Sequence, residues 1–336
     1  MPLDTLLEPT EPPVVAAPGR FNLLTAAGSL WDNIDDAPAG GEPDWTKAGL
    51  AYARESCFFG ATWDPCGDIT GTQDPKTPDE FDPADDLIRW QSFGVWTGKR
   101  CSTFGSGSSA EQRIDSQRAR ARRMLIQDQA RQIEGILEAG DVNGSAFLDF
   151  TRHNAAPPAG VTLFNTALAA PIAEDISDPA GGYPAVGSNP LPVGASGSGL
   201  NPVAAIASVE NYLCDRLGGA IGMVHVPVVA LTYLVSHDIV TRVGDRYLTP
   251  MGHIVVPGCG YDGLQPDGTA APAGSAPVYA TSLVHVKTGP ILVFPDSPNV
   301  VDWRANNIEA YAERIVNVGW DGCAHGGVLM NLCGGC

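Results

Sequence analysis

Basic residues are scarce in this chain. Its 336 residues carry 20 Lys and Arg against 38 Asp and Glu, a formal net charge of −18. Gripping nucleic acid over a broad surface requires clustered Lys and Arg, so that class of function is excluded as a general property. An export signal is also missing from what is expected of a leader. MPLDTLLEPTEPP places Asp4, Glu8 and Glu11 where such a signal needs positive charge and an apolar core. No uninterrupted apolar run reaches membrane length either. The nearest, Leu217 to Ser236, contains Gly218, Gly219, Gly222, His225 and Pro227. It reads as a helix end, a short strand and a new helix with Pro227 in its first turn.

Catalytic constellations are equally sparse. Residues 105–110, GSGSSA, match a dinucleotide-binding pattern before a helix. The segment ahead of them, Gly98 to Thr103, is too polar for a buried parallel strand, and a long helix leaves no room for the next strand and its acidic ribose ligand. A glycine-rich turn before a helix cap is the better reading. The histidines (His153, His225, His237, His253, His285 and His325) fall in no nucleophile or metal motif. His225 and His285, flanked by valines, read as satisfied, half-buried strand histidines. Of the eight cysteines, Cys57 and Cys101 are expected on facing arms of a hairpin, as free thiols in the absence of export. Cys323, His325, Cys333 and Cys336 are zinc-type ligands, but their spacing matches no strong zinc pattern. The expectation is therefore no enzyme, no cofactor and no metal.

What is present begins with one long helix. Between Arg100 and Asp141 the sequence reads as a polar turn, a capped start at Ser108 or Ser109 with Glu111 or Gln112, and a proline-free run to Gly140. Ile126, Ala130, Ile133 and Leu137 predict an apolar stripe in its second half. Its first half instead crowds Arg113, Arg118, Arg120, Arg122 and Arg123 together. About 30 residues make a rod of roughly 45 Å, long for a helix inside a compact domain. A rod buried at one end and charged at the other predicts a spine crossing a subunit boundary. Before it, 51–63 and 88–104 are dense in aromatics and enclose an acidic, proline-bearing tip, which predicts a hairpin arm too weak to stand alone. After it, Asn201–Pro202 opens a helix whose stripe is Ile206, Val209, Leu213 and Leu217, ending at Gly218–Gly219. RYLT and HIVVP predict a hairpin around Pro250–Gly252, YATSLVHV and ILVFP predict strands, and a long alternating strand, NNIEAYAERIVNVGWDGC, is expected to be answered by HGGVLMNL.

This order of parts resembles the major capsid proteins of tailed bacteriophages with the Hong Kong 97 type fold, most of all those of phages that infect actinobacteria. Phe93 to Thr103 leading into the Arg-rich helix, and Ala310 to Cys323 near the C-terminus, carry the resemblance, which covers most of 50–332. It implies an α+β, Hong Kong 97-like capsid fold: N-terminal arm at 1–50, extended β-hairpin loop at 51–104, spine helix and first part of the peripheral domain at 105–200, axial domain at 201–277, and return strands of the peripheral domain with the C-terminal tail at 278–336. The implied function is a self-assembling shell subunit, forming hexamers and pentamers of an icosahedral head around double-stranded DNA without sequence-specific binding. Scaffold, cement and portal proteins are the implied partners, the virion the location, and the host cytoplasm the place of assembly, with no membrane involved. The expected subunit-interface residues are Trp90, Phe93 and Trp96 on the hairpin arm, and Arg118, Arg120, Arg122 and Arg123 on the helix. The helix arginines are expected to meet carboxylates of neighbouring subunits rather than DNA. An encapsulin-like compartment is the alternative within the fold, and a soluble α/β hydrolase using cysteine or metal the alternative outside it.

Overall fold

A computed structural model describes residues 23–24, 50–53, 87–90, 92–102, 110–139, 141–142, 145–146, 162–163, 174–175, 199–261, 263–264, 270–294, 307–320 and 323–332. The expected N-terminal arm and the polar tip at 66–86 lie almost wholly outside the described residues, as do Cys57, Cys66, Cys333, Cys336 and His153. Strands β1 (Leu50–Ala53) and β2 (Leu87–Trp90) pair antiparallel, Leu50 opposite Trp90 and Ala53 opposite Leu87. Strand β3 (Phe93–Ser102) follows, then helix α1 (Ala110–Ala139). Four two-residue strands come next: β4 (Asp141–Val142), β5 (Ser145–Ala146), β6 (Thr162–Leu163) and β7 (Glu174–Asp175). The rest comprises α2 (Pro202–Leu217), β8 (Met223–Pro227), α3 (Val228–Ser236), β9 (Thr241–Val243), β10 (Arg246–Leu248), β11 (Ile254–Gly258), β12 (Ser275–Thr281), β13 (His285–Thr288), β14 (Leu292–Phe294), β15 (Asn307–Gly319) and β16 (His325–Asn331). No helix among the described residues is long and apolar enough to cross a membrane.

Among the described residues the strands form four sheets, and the two largest organise the fold. Seven strands run in the order β7-β16-β12-β8-β11-β10-β9. Strands β8 and β11 are parallel and buried along their whole length, as strands covered on both faces must be. Helix α2 is set by its own sequence: Asn201 Oδ1 accepts from the Ala204 N–H at 2.9 Å, and Pro202 opens the first turn. Its predicted stripe, Ile206, Val209, Leu213 and Leu217, is buried against this sheet. Gly218 stops it in the left-handed region at φ 56°, where a side chain would be strained. The β10–β11 hairpin forms as expected, with Tyr247 opposite Val255.

The second sheet is built on β15. One edge of β15 pairs with β3, from Asn307 opposite Ser102 to Val316 opposite Phe93, and the other edge with β13 and β14. Helix α1 closes one face of it. The buried seam of α1 runs through Ile114, Ala121, Leu125, Ile133, Ile136 and Leu137. Each fully buried Leu or Ile contributes about 2 kcal/mol relative to exposure. The seam corrects the expected stripe. Ile126 is half exposed, its place is taken by Leu125, and the seam continues into the Arg-rich half through the small Ala121.

Three pairings differ from expectation. The aromatic segments do not make one continuous hairpin, because β2 stays with β1 while β3 turns away to β15. Cys101 accordingly lies opposite Ile308. HGGVLMNL does not answer the long strand; β16 pairs with β12, from Ser275 opposite Asn331 to Thr281 opposite His325. The YATSLVHV run is split between the two sheets, and the expected boundary at 277/278 falls inside β12. The cause is a double crossing. The chain passes between the sheets twice at neighbouring places, with His285 opposite Gly319 and the Ser282 N–H donating to Ala324 O at 3.3 Å.

The sheets are also locked by α1. Glu134 and Glu138, both buried, accept backbone N–H groups from the loop after β11: Gly260 onto Glu134 Oε2 at 3.0 Å, Gly263 and Leu264 onto Glu138 Oε1 at 3.0 and 3.1 Å. Gly260 lies so close to the helix that an added Cβ would stand 2.0 Å from Arg131 O. Only glycine fits there.

Candidate subunit interface

Alternation along β3 and β15 decides which side chains face water. Phe93 and Val95, with Ala310, Ala312, Val316 and Val318, are buried towards α1. Gly94, Trp96 and Gly98, with Glu309 and Tyr311, are exposed on the outer face. Trp96 is 59% exposed, Leu292 47% and Tyr311 42%. These residues are contiguous. An added Cβ at Gly98 would lie 3.3 Å from the Trp96 ring and 3.3 Å from Tyr311 Cβ, so the indole lies over the bare Gly98 backbone beside Tyr311. Tyr311 in turn stacks on Phe294, centroids 5.2 Å apart. The result is an aromatic ridge spanning three strands, with Glu313 set between Trp96 and Leu292 in the cross-strand register.

The backbone beneath Trp96 is fixed by α1. Gln132 accepts the Trp96 N–H at 3.2 Å and donates to Trp96 O at 3.1 Å, replacing a strand partner on the outer edge of β3. Gln132 also donates to Asp128 at 2.8 Å, and Arg131 donates to the same carboxylate at 2.7 Å. The Arg131 hydrogen bond holds the Asp128 carboxyl below the usual range, against the opposing effect of partial burial. Arg314 adds a second tie, bonding Gln129 of α1 at 2.8 Å and Gly289 O at 2.7 Å.

The predicted interface residues separate into different environments. Trp90 and Phe93 are core residues of this chain, which corrects their assignment to a neighbour's surface. Trp90 donates through Nε1 to Trp320 O at 2.6 Å, its ring lies 4.1 Å from that of Trp320, and Asn317 donates to its carbonyl at 2.8 Å. A side chain with no exposed area has nothing to offer a partner. Trp96 alone of the three faces outward. On α1, Arg118 is half buried and pairs with Asp115 at 3.6 Å within its own helix, and Arg123 is half buried. Arg120 and Arg122 are exposed and form no ion pair with a described residue.

Buried polar chemistry is concentrated between the sheets. His225 on β8 is wholly buried, not half buried as expected, and both its nitrogens are engaged: Nδ1 with Tyr261 Oη at 3.0 Å, Nε2 with Thr281 Oγ1 at 2.9 Å. Burial, followed by the nearby His325, lowers its pKa to about 3. Burial, then the carboxylates of Glu134 and Glu138, push the Tyr261 phenol up. In a neutral ring one nitrogen donates and the other accepts, so the Tyr261 and Thr281 hydroxyls take opposite roles in these two bonds. The chain continues to α1 through the loop held by Glu134 and Glu138. Both glutamates were missed in the sequence; the available signal was two carboxylates beside Ile133 and Leu137, facing a glycine-rich loop across the fold. No group of three His, Cys, Asp or Glu among the described residues could hold a metal ion. Cys323 is disulfide-bonded.

No family model and no curated protein matches this chain. Among solved structures it is similar to chains from Gordonia phage Cozz (12% identity, 88% of each chain covered, TM-score 0.45). It is likewise similar to Mycobacterium phage Ogopogo (10% identity, 93% of this chain and 92% of that one, TM-score 0.44) and to the Cyanophage Pam1 capsid asymmetric unit (13% identity, 89% of each, TM-score 0.39).

Proposed function

We propose that this chain is a major capsid protein, a shell subunit whose work is done by its interfaces. The observation that carries this is the ridge of Trp96, Tyr311 and Phe294. One face of the β3–β15–β14 sheet is sealed by a 30-residue helix, while the other presents contiguous aromatic surface to water. A subunit that stays alone has no use for such a face; one that is covered by a neighbour does. An adjacent copy of the chain is the proposed cover. Identical chains bound through such unlike surfaces close into rings, and hexamers with pentamers close a shell. Net charge of −18 suits a lining that holds double-stranded DNA without adhering to it. Portal, scaffold and cement proteins would complete such a particle in the virion.

Sedimentation velocity and negative-stain imaging of the purified chain test the reading. Closed particles are expected from the native sequence. Trp96→Asp should leave a folded subunit that forms none, because a carboxylate on the ridge would be buried unpaired beneath the neighbour. A native chain that remains monomeric at assembly concentrations, or Trp96→Asp particles in normal yield, would refute it.

A further inference from the structure

One histidine joins two turns of the seven-stranded sheet. The turn after α2, residues 218–222, leads into β8, and the turn after β10, residues 249–253, leads into β11. The Gly222 N–H donates to His253 Nδ1 at 3.1 Å, and the Ile254 N–H donates to Gly222 O at 3.0 Å. Thr249 fixes the backbone of the same histidine. The His253 N–H donates to Thr249 Oγ1 at 3.2 Å, and the Thr249 N–H donates to His253 O at 3.0 Å. The outer ends of both turns face water, with Ile221 54% exposed and Met251 65%. Gly252, next to His253, has φ 90° and open space where a Cβ would stand, so this turn carries its own pivot.

An amide N–H only donates, so Nδ1 is the acceptor and the neutral ring carries its proton on Nε2. That Nε2–H is buried and meets no acceptor among the described residues, in a residue only 4% exposed. A second proton therefore has no place in the closed arrangement. It would set an Nδ1–H against the Gly222 N–H, donor to donor, and leave a buried cation with neither nitrogen satisfied. The charges around the ring are few. Glu210 of α2, which accepts the Met251 N–H at 2.7 Å, favours the protonated ring. Burial opposes it more strongly and holds the ring below its ordinary value of 6.5. Residues 218–224, 249–252 and 280–284, which adjoin the Gly222–His253 contact, contain no ionisable side chain. His225 of β8 is engaged with Tyr261 and Thr281. We infer that His253 is an acid-released pin: its neutral ring holds the two turns together, and protonation frees both, the ring turning out to the Glu210 carboxylate. That carboxylate is also the anchor of the Met251 N–H, so both ties loosen together. In the opened turns the ring is an ordinary histidine and binds the proton first. Opening is therefore suppressed above about pH 6.5 and grows below it, by at most about tenfold per pH unit. The inference goes beyond the shell reading and stands or falls without it.

The test is amide hydrogen exchange on the full-length, unassembled chain, read by mass spectrometry at about pH 7.5 and about pH 5 and corrected for the chemical pH dependence of exchange. Peptides covering the turns before β8 and before β11 should lose at least about threefold in protection at the lower pH, while the middle of α2 keeps its own. His253→Asn, whose side-chain oxygen accepts the Gly222 N–H and does not titrate, should hold both turns equally at the two pH values. Glu210→Gln, which removes the counter-charge, should move the response of the native histidine to lower pH. Unchanged protection of the native turns would overturn the inference. So would the same acid response in His253→Asn, which would trace it to another group. If His253→Asn fails to melt cooperatively, exchange of the histidine C2 hydrogens in the native chain decides instead. His253 titrating in step with the loosening of the turns would support the pin, and titration out of step would overturn it.

Discussion

Gly260→Ala should uncouple α1 from the seven-stranded sheet. The new methyl carbon would stand 2.0 Å from Arg131 O and 2.8 Å from Glu134 Cβ, where ordinary contact begins at 3.4 Å. Arg131 O is backbone of a 30-residue helix and cannot step aside, so the loop must retreat by more than an ångström. That stretches the 3.0 Å bond from the Gly260 N–H to Glu134 Oε2 beyond bonding range. Two costs follow. Overpacking contributes about 1–3 kcal/mol. Removing a donor from a buried carboxylate costs about 1–3 kcal/mol more. Their sum, about 2–6 kcal/mol, is a large share of the 5–15 kcal/mol that typically separates folded from unfolded. For a chain of 336 residues it corresponds to a fall in Tm of about 3–8 °C. Gly94→Ala is the control, since an added Cβ there meets nothing within 4 Å. Melting should be followed on unassembled subunit at fixed concentration, because assembly itself raises Tm. A fall below about 2 °C for Gly260→Ala would mean that the loop yields freely and that the helix–sheet lock is not a structural joint.

Two further outcomes are expected. Charge reversal at Arg120 and Arg122, the exposed spine arginines without a described partner, should make shell assembly salt-sensitive or abolish it while the subunit stays folded; each exposed pair is worth only about 0–1 kcal/mol, but it recurs in every subunit. Normal shells that leak DNA would instead place that helix face against the genome. His225, whose pKa is lowered to about 3, binds its proton in the unfolded chain first, so subunit stability should fall as pH drops from about 6.5 towards 3. The slope should approach about 1.4 kcal/mol per pH unit, and a His225→Gln variant with the same acid slope in its denaturation midpoint would count against this.

Local signals in the sequence were enough for the helices. Asn201–Pro202 and Gly218 bound α2, and Gly140 follows the last residue of α1, because caps and breakers act through neighbours in the chain. Strand partners were not available in the same way. Strands β3 and β15 are joined by hydrogen bonds across some 200 residues of sequence, and no nearby turn sets their register. Buried carboxylates were hidden for a related reason: Glu134 and Glu138 are satisfied by backbone N–H groups, which every residue carries and no motif advertises.

The aromatic segment shows how far residue type can go before geometry must decide. Trp90, Phe93 and Trp96 look alike as interface candidates, and in one straight strand Trp90 and Trp96 would share a face. The chain instead breaks between β2 and β3 at residues 91–92, and each strand joins a different sheet. Parity is reset there, so Trp90 enters the core beside Trp320 while Trp96 faces outward. One sequence cue does separate them. Trp96 lies in Gly94-Val95-Trp96-Thr97-Gly98, where period-2 glycines flank it on the same face. A strand face bearing Gly, Trp and Gly has no side chains to fill a core, and it leaves a flat bed over which the indole can lie. At Gly98 that is the observed arrangement, with the ring held beside Tyr311. A core tryptophan is embedded by bulky neighbours; a docking tryptophan is set out on bare backbone, and only the second kind makes a surface that another chain can cover.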